Sequence, residues 1–471
     1  MLRLTWVQPE DLLGHELRQA ALDGREPSRI AARWQAAGGD EAPLRAGASP
    51  DRPSRYLRQL AEDLLDELAD LPSSLADQEP TDLQKIKLSA AAELRAYVGA
   101  GGTPSAPGRA THPRPATTQS RLEAAWLGRA AGCLLGKPVE KLPLHAIRQL
   151  AKATGNWPLS TYFTAKGLPP DLAAEYPWNR RSAATSLAEN IDGMPEDDDL
   201  NYPLLNLLLL QRHGKTFTTE DVATLWLDEL PAGRTFTAER VAYRNLLTGI
   251  DPPHTARHRN PFREWIGALI RADVHGWTNP GNPAAAAEQA HRDATLTHTA
   301  NGVYAAMFTA AVIATAATGT RDIHTCLRAG LTVIPPDSRL TKAIHHAVRL
   351  AEDHTDFETV VDELHTTYAA HHWVHAIPNT ALITAALTHA DGDFTTSVCR
   401  AVSGGWDTDS NGATTGSIAG LLAGSPTALP DRWTAPLKNR LATSVGDFNG
   451  TGFDTLAHLT QALTHLEAAR P

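Results

Sequence analysis

The stretch GGWDTDSNGATTGSIAGLLAG, residues 404–424, decides the fold class. Gly412, Gly416, Gly420 and Gly424 stand four residues apart in it, which at 3.6 residues per turn draws one stripe down a helix. Gly128, Gly132 and Gly136 repeat the spacing within GRAAGCLLGKPVE, residues 128–140. A glycine inside a helix costs about 0.5–1 kcal/mol relative to alanine. Repeating that cost along one face predicts that something approaches the backbone closely. It is another helix or the floor of a ligand site, and the two coincide if the packing places a site at the helix end.

Outward from these ridges, Ala-rich periodic runs predict helices over 121–136, 204–212, 304–318, 380–389 and 412–423. Strand signals are weak: β-branched alternation is scarce, and Asn301-Gly302 and Asn411-Gly412 introduce Ala-rich helical stretches instead of joining strands. The expected class is all-α, without a repeat of fixed period. Near the N-terminus, Ser54 is placed to cap a run in which Leu57, Leu60, Ala61, Leu64, Leu65 and Leu68 recur at helical spacing. Thr81 and Gln84 form a capping-box pattern ahead of Leu83, Ile86 and Leu88. Residues 100–118, AGGTPSAPGRATHPRPATT, cannot keep a regular hydrogen-bond ladder and read as a linker. The organisation read from this is a small helical N-terminal domain (1–100), a linker (101–118) and a larger helical domain (119–471).

The 471 residues suit one large domain plus a smaller one, and 42% apolar residues suffice for a sizeable core. A net charge of −10 argues against a duplex-coating protein, so no nucleic-acid partner is expected. Three distant cysteines, Cys133, Cys326 and Cys399, exclude a disulfide scaffold and a Cys-rich zinc module and fit a reducing compartment. The most apolar run, Tyr304 to Ala317, is too short to span a bilayer, and MLRLTWVQPEDLLGHELRQ lacks a signal-peptide core. A cytoplasmic protein with no membrane partner is expected.

Two acidic clusters carry the chemistry. Glu196-Asp197-Asp198-Asp199 precedes the apolar run Leu204–Leu210, with Pro203 expected in a first helical turn and not in an interior. A helix dipole favours acids at its N-terminus. Four adjacent carboxylates exceed what the dipole needs, so they face water or share a cation. Asp407-Thr408-Asp409-Ser410-Asn411 opens the second glycine ridge. It reads as an Asx-turn and cap or as an oxygen-rich cation loop, though Ile418 stands where an EF-hand loop would need its glutamate. With no Cys/His set, hard oxygen donors favour Mg2+ or Mn2+ over Zn2+.

Four stretches in order, GRAAGCLLGKPVE (128–140), EDDDLNY (196–202), THTANGVYAAMFTAAVIATA (297–316) and GGWDTDSNGATTGSIAGLLAG (404–424), make residues 121–465 resemble the ADP-ribosylglycohydrolases, among them the dinitrogenase reductase-activating glycohydrolase and the ADP-ribosylarginine hydrolases. That resemblance implies an all-α fold around two divalent cations, Mg2+ or Mn2+. The family's Thr-Asp-Asp ligand triplet maps to Glu196, Asp197 and Asp198, and its Asp-x-Asp-Thr to Asp407, Asp409 and Ser410. Two positions depart: Glu196 adds charge and length where the family has Thr, and Ser410 keeps the hydroxyl of the Thr it replaces. His298, after Thr297, matches the family's Thr/Ser-His pattern beside the substrate ribose; a buried, backbone-bonded histidine is the other reading. Gly302 allows a close approach, and Asn301, Trp373, His375, Asn379 and Trp406 are candidates to line the cleft, the rings by stacking on adenine or nicotinamide. Arg180 and Arg181 can meet a diphosphate bidentately.

The implied reaction is metal-dependent hydrolysis of the C1 glycosidic bond of an ADP-ribosyl or related ribosyl group. Glu196 or Asp198 is the expected acid or base, with Asp199 and Asp273 as lesser candidates; Asp273 is expected to pair with Arg271. The substrate is an ADP-ribosylated protein side chain or a small, NAD-derived or nucleoside-like glycoside. Two rivals stay open: a non-catalytic metal- or ligand-binding module, and a metal-free glycosidase with carboxylates about 5–9.5 Å apart. The N-terminal residues fall outside the resemblance and read as a helical appendage for oligomerisation or substrate docking.

Overall fold

The computed structural model describes residues 3–42, 47–99, 118–179 and 182–465. The linker expected at 101–118 lies, except for Thr118, outside the described residues, as do Arg180 and Arg181. Among the described residues there are 22 α-helices and no strand; Met194 with Leu441 and Trp265 with His375 form only isolated bridges. Eight helices position the site and its surroundings: α1 (Pro9–Leu22), α2 (Arg55–Ala69), α3 (Leu83–Gly99), α4 (Thr118–Gly136), α5 (Asp198–His213), α6 (Ala300–Ala316), α7 (Ala376–His389) and α8 (Thr408–Ala423).

The last five are the helices that the Ala-rich runs predict, and each begins three to six residues before the apolar periodicity does. The first turns of α4, α5 and α8 are built mostly from polar residues that apolar spacing does not register. Asp197 caps α5 through its side chain, and His375 caps α7 by accepting from the Ile377 N–H at 3.2 Å. Pro203 falls inside α5, contrary to its expected place in a first turn. Proline has no N–H to offer the carbonyl four residues back, which is that of Asp199. The Arg129 Nε donates to that carbonyl at 2.7 Å, so the break in the ladder is filled from α4.

The glycine ridges meet each other. A methyl group on Gly128 would overlap the carbonyl oxygen of Gly416, one on Gly132 that of Gly412, and one on Gly136 that of Thr408. Gly420 likewise lies against the carbonyl of Ala124. The paired numbers run in opposite senses, so α4 and α8 are antiparallel and touch backbone to backbone. Gly424 is not part of this contact, and at φ 85° it ends α8 in the left-handed region.

The N-terminal helices share the hydrophobic core of the rest. Ser54 caps α2 by accepting from Leu57 N–H at 3.1 Å, as expected. For α3 the cap is Asp82, which accepts from Lys85 N–H at 2.9 Å, while the Thr81 hydroxyl accepts from Ala300 N–H at 3.0 Å. The capping-box reading of Thr81 is thereby corrected: that hydroxyl secures the start of α6. Trp6 and His15 pack edge-on against Phe262. Glu16 and Asp23 each pair with Arg263 at 2.6 Å, and Glu79 pairs with Arg339 at 2.6 Å.

The ridge contact predicts an inversion of the usual helix rule. Alanine normally stabilises a helix relative to glycine. Gly132→Ala should instead destabilise by roughly 1–3 kcal/mol through overpacking. Gly233→Ala, where an added methyl meets nothing within 4 Å, should be near neutral. Urea unfolding of both variants checks this; equal midpoints would contradict the contact.

Candidate metal centre

The ridge contact fixes where α4 ends. Gly136 lies on the backbone of Thr408 and Asp409, and its carbonyl accepts from the Thr408 hydroxyl at 2.8 Å. The chain then turns through Lys137–Val139 to Glu140, which brings both side chains to the start of α8. The start of α5 arrives at the same place. Two three-donor groupings result, Cys133 with Asp197 and Asp199, and Glu140 with Asp407 and Asp409; within each, the ligand atoms lie within 4.8 Å of one another. Stretches more than two hundred residues apart in sequence thus converge where α5 and α8 both present the positive ends of their dipoles.

Each carboxylate is aimed by local structure. Asp197 accepts from Asp199 N–H at 2.9 Å and carries the Lys137 ammonium on its other oxygen. Asp199 meets Arg129 Nη2 at 3.4 Å and the Cys133 thiol at 3.7 Å. Asp407 follows a sharp turn in which Gly405 and Trp406 both take positive φ, at 79° and 56°. Its N–H donates to Asn379 Oδ1 at 3.2 Å, and the same oxygen accepts from Asn411 Nδ2 at 2.7 Å. The Glu140 carboxylate accepts from Asn179 Nδ2 at 2.7 Å.

The electrostatics show crowding. Burial, and then repulsion from Asp197 and Asp409, hold the Asp198 carboxyl well above the usual carboxylate range. Asp199 is raised by burial and by Asp197, and Asp407 by burial and by Asp409. Burial with Glu140 and Asp197 as neighbours pushes Asp409 up to about 7. Asp197 alone is lowered: burial opposes this, but the Lys137 ammonium outweighs it. The carboxylate oxygens of Asp407 and Asp409 lie within 4.8 Å of each other and of Glu140. A divalent cation among such crowded carboxylates would relieve their repulsion, and an all-oxygen set of Glu140, Asp407 and Asp409 suits Mg2+ or Mn2+. The donor chemistry therefore fits a hard cation.

The sequence-derived candidates divide. Asp197, Asp198, Asp199, Asp407 and Asp409 come together. Glu196 pairs with Arg234 at 2.9 Å and is not in either grouping. Ser410 is buried at the start of α8, its N–H donating to Asp409 Oδ1 at 3.1 Å. Asn379 shapes the Asp407 turn from behind and does not face a cleft: its amide donates to the Trp373 and His375 carbonyls. Trp406 stays partly exposed beside Asp407 and stacks on His365 with centroids 4.1 Å apart. His298, Asn301 and His375 are fully buried, with bonds that run elsewhere. His298 meets the Thr297 hydroxyl at 2.6 Å, Asn301 donates to Glu79 at 2.8 Å and Glu264 at 2.9 Å, and His375 lies 3.7 Å from Glu264. Gly302 lets α6 pass the Arg263 carbonyl. Asn301 and His375 thus lie on the face shared with the N-terminal helices, where Arg263, Glu264, Arg339 and Glu79 border a cavity of about 400 Å³. Asp273 pairs with Arg129 at 2.9 Å, not with Arg271, which holds Glu239 and Asp293.

Glu140, Lys137 and Cys133 are the residues that sequence reasoning missed. The signal lay in the first ridge: the residues after its last glycine must emerge beside the start of the second.

A group held above its unfolded proton affinity stabilises the fold when protonated. That contribution is complete below about pH 4 and is lost as pH rises through the folded value, about 7 for Asp409. Without divalent cations, Asp409→Asn should therefore gain thermal stability relative to wild type between about pH 5 and about pH 8. Added Mg2+ or Mn2+ should reverse the order at the higher pH, because only wild type keeps the full ligand set. A difference in Tm that does not change with pH would contradict the crowding.

With this geometry in view, a family model for ADP-ribosylglycohydrolases matches residues 114–470. A solved structure described as an ADP-ribosylglycohydrolase-related protein complex is similar at 22% identity and a TM-score of 0.48, covering 74% of this chain and 99% of that one. No curated protein matches. On the family match, the chain belongs to the ADP-ribosylglycohydrolase family.

Proposed function

We propose that the chain is a divalent-cation-dependent hydrolase of the C1 glycosidic bond of an ADP-ribosyl or related ribosyl group. Membership of the family indicates glycohydrolase activity. The observation that carries the finer reading is the convergence of Glu140, Asp407 and Asp409 with Asp197, Asp198 and Asp199. A bound divalent cation would be held by Glu140, Asp407 and Asp409, and when bound it supplies a positive template for ribose hydroxyls and lowers the proton affinity of a nearby water.

The chain's own residues divide the remaining work. Asp198, like Glu140, is a partly exposed member of the cluster, so substrate reaches it without the core opening. Its proton affinity, raised by burial and by the neighbouring Asp197 and Asp409, suits a group that gives and takes a proton. Glu196, tethered to Arg234, is the weaker candidate for that role. Trp406 offers a partly exposed ring beside Asp407 for an aromatic base to stack on. Asp199 is fixed by Arg129 and Cys133, so it orients the start of α5 and does not carry protons to substrate.

Incubation with ADP-ribosyl-arginine, ADP-ribosyl-serine and small N-ribosides, with release of the ribosyl product followed, tests the reading. Turnover of at least one substrate is expected with Mg2+ or Mn2+ and not after exhaustive chelation. Asp198→Ala and Asp409→Ala should each lower turnover about a hundredfold or more while leaving helicity intact. Full turnover in both variants, or in the chelated enzyme, would overturn it.

A further inference from the structure

We propose that Lys137 supplies one of the positive charges of the carboxylate centre, so that this chain takes a single divalent cation at Glu140, Asp407 and Asp409 where the family resemblance implies two. This rests on the reading of the centre as a cation site. The two donor groupings are not equivalent. In the first, the Lys137 ammonium already sits on Asp197, and the Arg129 guanidinium engages Asp199 through both its carboxylate and its carbonyl. The third member is Cys133, a neutral thiol in contact with Asp199 and a poor ligand for a hard cation. The Lys137 ammonium takes one Asp197 oxygen and the Asp199 N–H the other, and the fixed positive charge repels a cation placed beside it.

In the second grouping neither Asp407 nor Asp409 makes an ion pair with a described residue, and only Glu140 has one, with the exposed Lys141 at 2.8 Å. This grouping keeps oxygens for a cation. Lys137 is not free to leave the first. It follows Gly136, which is pressed onto Thr408 and Asp409, and its side chain is only 9% exposed. The resident charge is therefore set by the α4–α8 contact and not by a mobile surface lysine.

The test is the number of Mn2+ ions bound per chain, by equilibrium dialysis with elemental analysis. Electron paramagnetic resonance then distinguishes an isolated Mn2+ from a spin-coupled pair. Wild type should bind one isolated ion. Lys137→Ala, with Lys137→Gln as a second variant should the first fail to fold, should bind a second ion and give a coupled spectrum, and Lys137→Arg should still bind one. Two ions in wild type would overturn the proposal while leaving the centre as a cation site. One ion in both wild type and the neutral variants would also overturn it, because the lysine would not be what excludes the second. No binding at millimolar Mn2+ would instead remove the cation-site reading beneath it.

Discussion

The contact between the glycine faces of α4 and α8 is the constraint on which the rest depends. Side chains at Gly128, Gly132, Gly412 or Gly416 would force the helices apart by the width of a methyl group or more, because each position faces a backbone carbonyl across the interface. Close packing of this kind leaves no room for adjustment. It fixes the end of α4 against the start of α8, and the chemistry-bearing residues occupy those two ends. The glycines contribute no functional group, yet they determine the distance between Glu140 and the Asp407–Asp409 pair.

A second constraint ties the remaining acidic stretch to this frame. Pro203 removes one bond from the α5 ladder and leaves the Asp199 carbonyl available, and the fully buried Arg129 of α4 takes it. The same guanidinium reaches the carboxylates of Asp199 and Asp273 and the Ile270 carbonyl. A buried arginine with its donors satisfied by four acceptor groups holds three segments in one arrangement, and loss of both carboxylate partners would leave its charge uncompensated. What looks in sequence like a helix-breaking residue after an acidic run is the opening through which that run is anchored.

Much of this was legible beforehand, for reasons that can be named. The ridges repeat every four residues, so periodicity alone exposed them, and the four ordered motifs carried the family resemblance. The acidic stretches were visible because adjacent carboxylates are costly without a cation or water. The roles of Lys137 and Glu140 were hidden, since a lysine and a glutamate three residues apart are ordinary in sequence and gain meaning only from what they face. The buried polar residues are held by partners that the sequence does not set beside them. Asn301 and His375 have the chemistry of a substrate cleft, but their partners Glu79 and Glu264 come from segments whose pairing no local pattern announces. Nor did the N-terminal helices betray their place in the shared core, because Glu16, Asp23 and Glu79 read as solvated charges until Arg263 and Arg339 are set beside them.

The central claim is that the helix contact assembles a hard-cation site from Glu140, Asp407 and Asp409. Anomalous diffraction at the manganese edge, from crystals of the whole chain grown with Mn2+, tests it most directly. A strong peak is expected among those three carboxylates at the start of α8, with Lys137 still on Asp197. A structure in which the three carboxylates stand together with no anomalous density among them, or in which the peak lies elsewhere in the molecule, would contradict it.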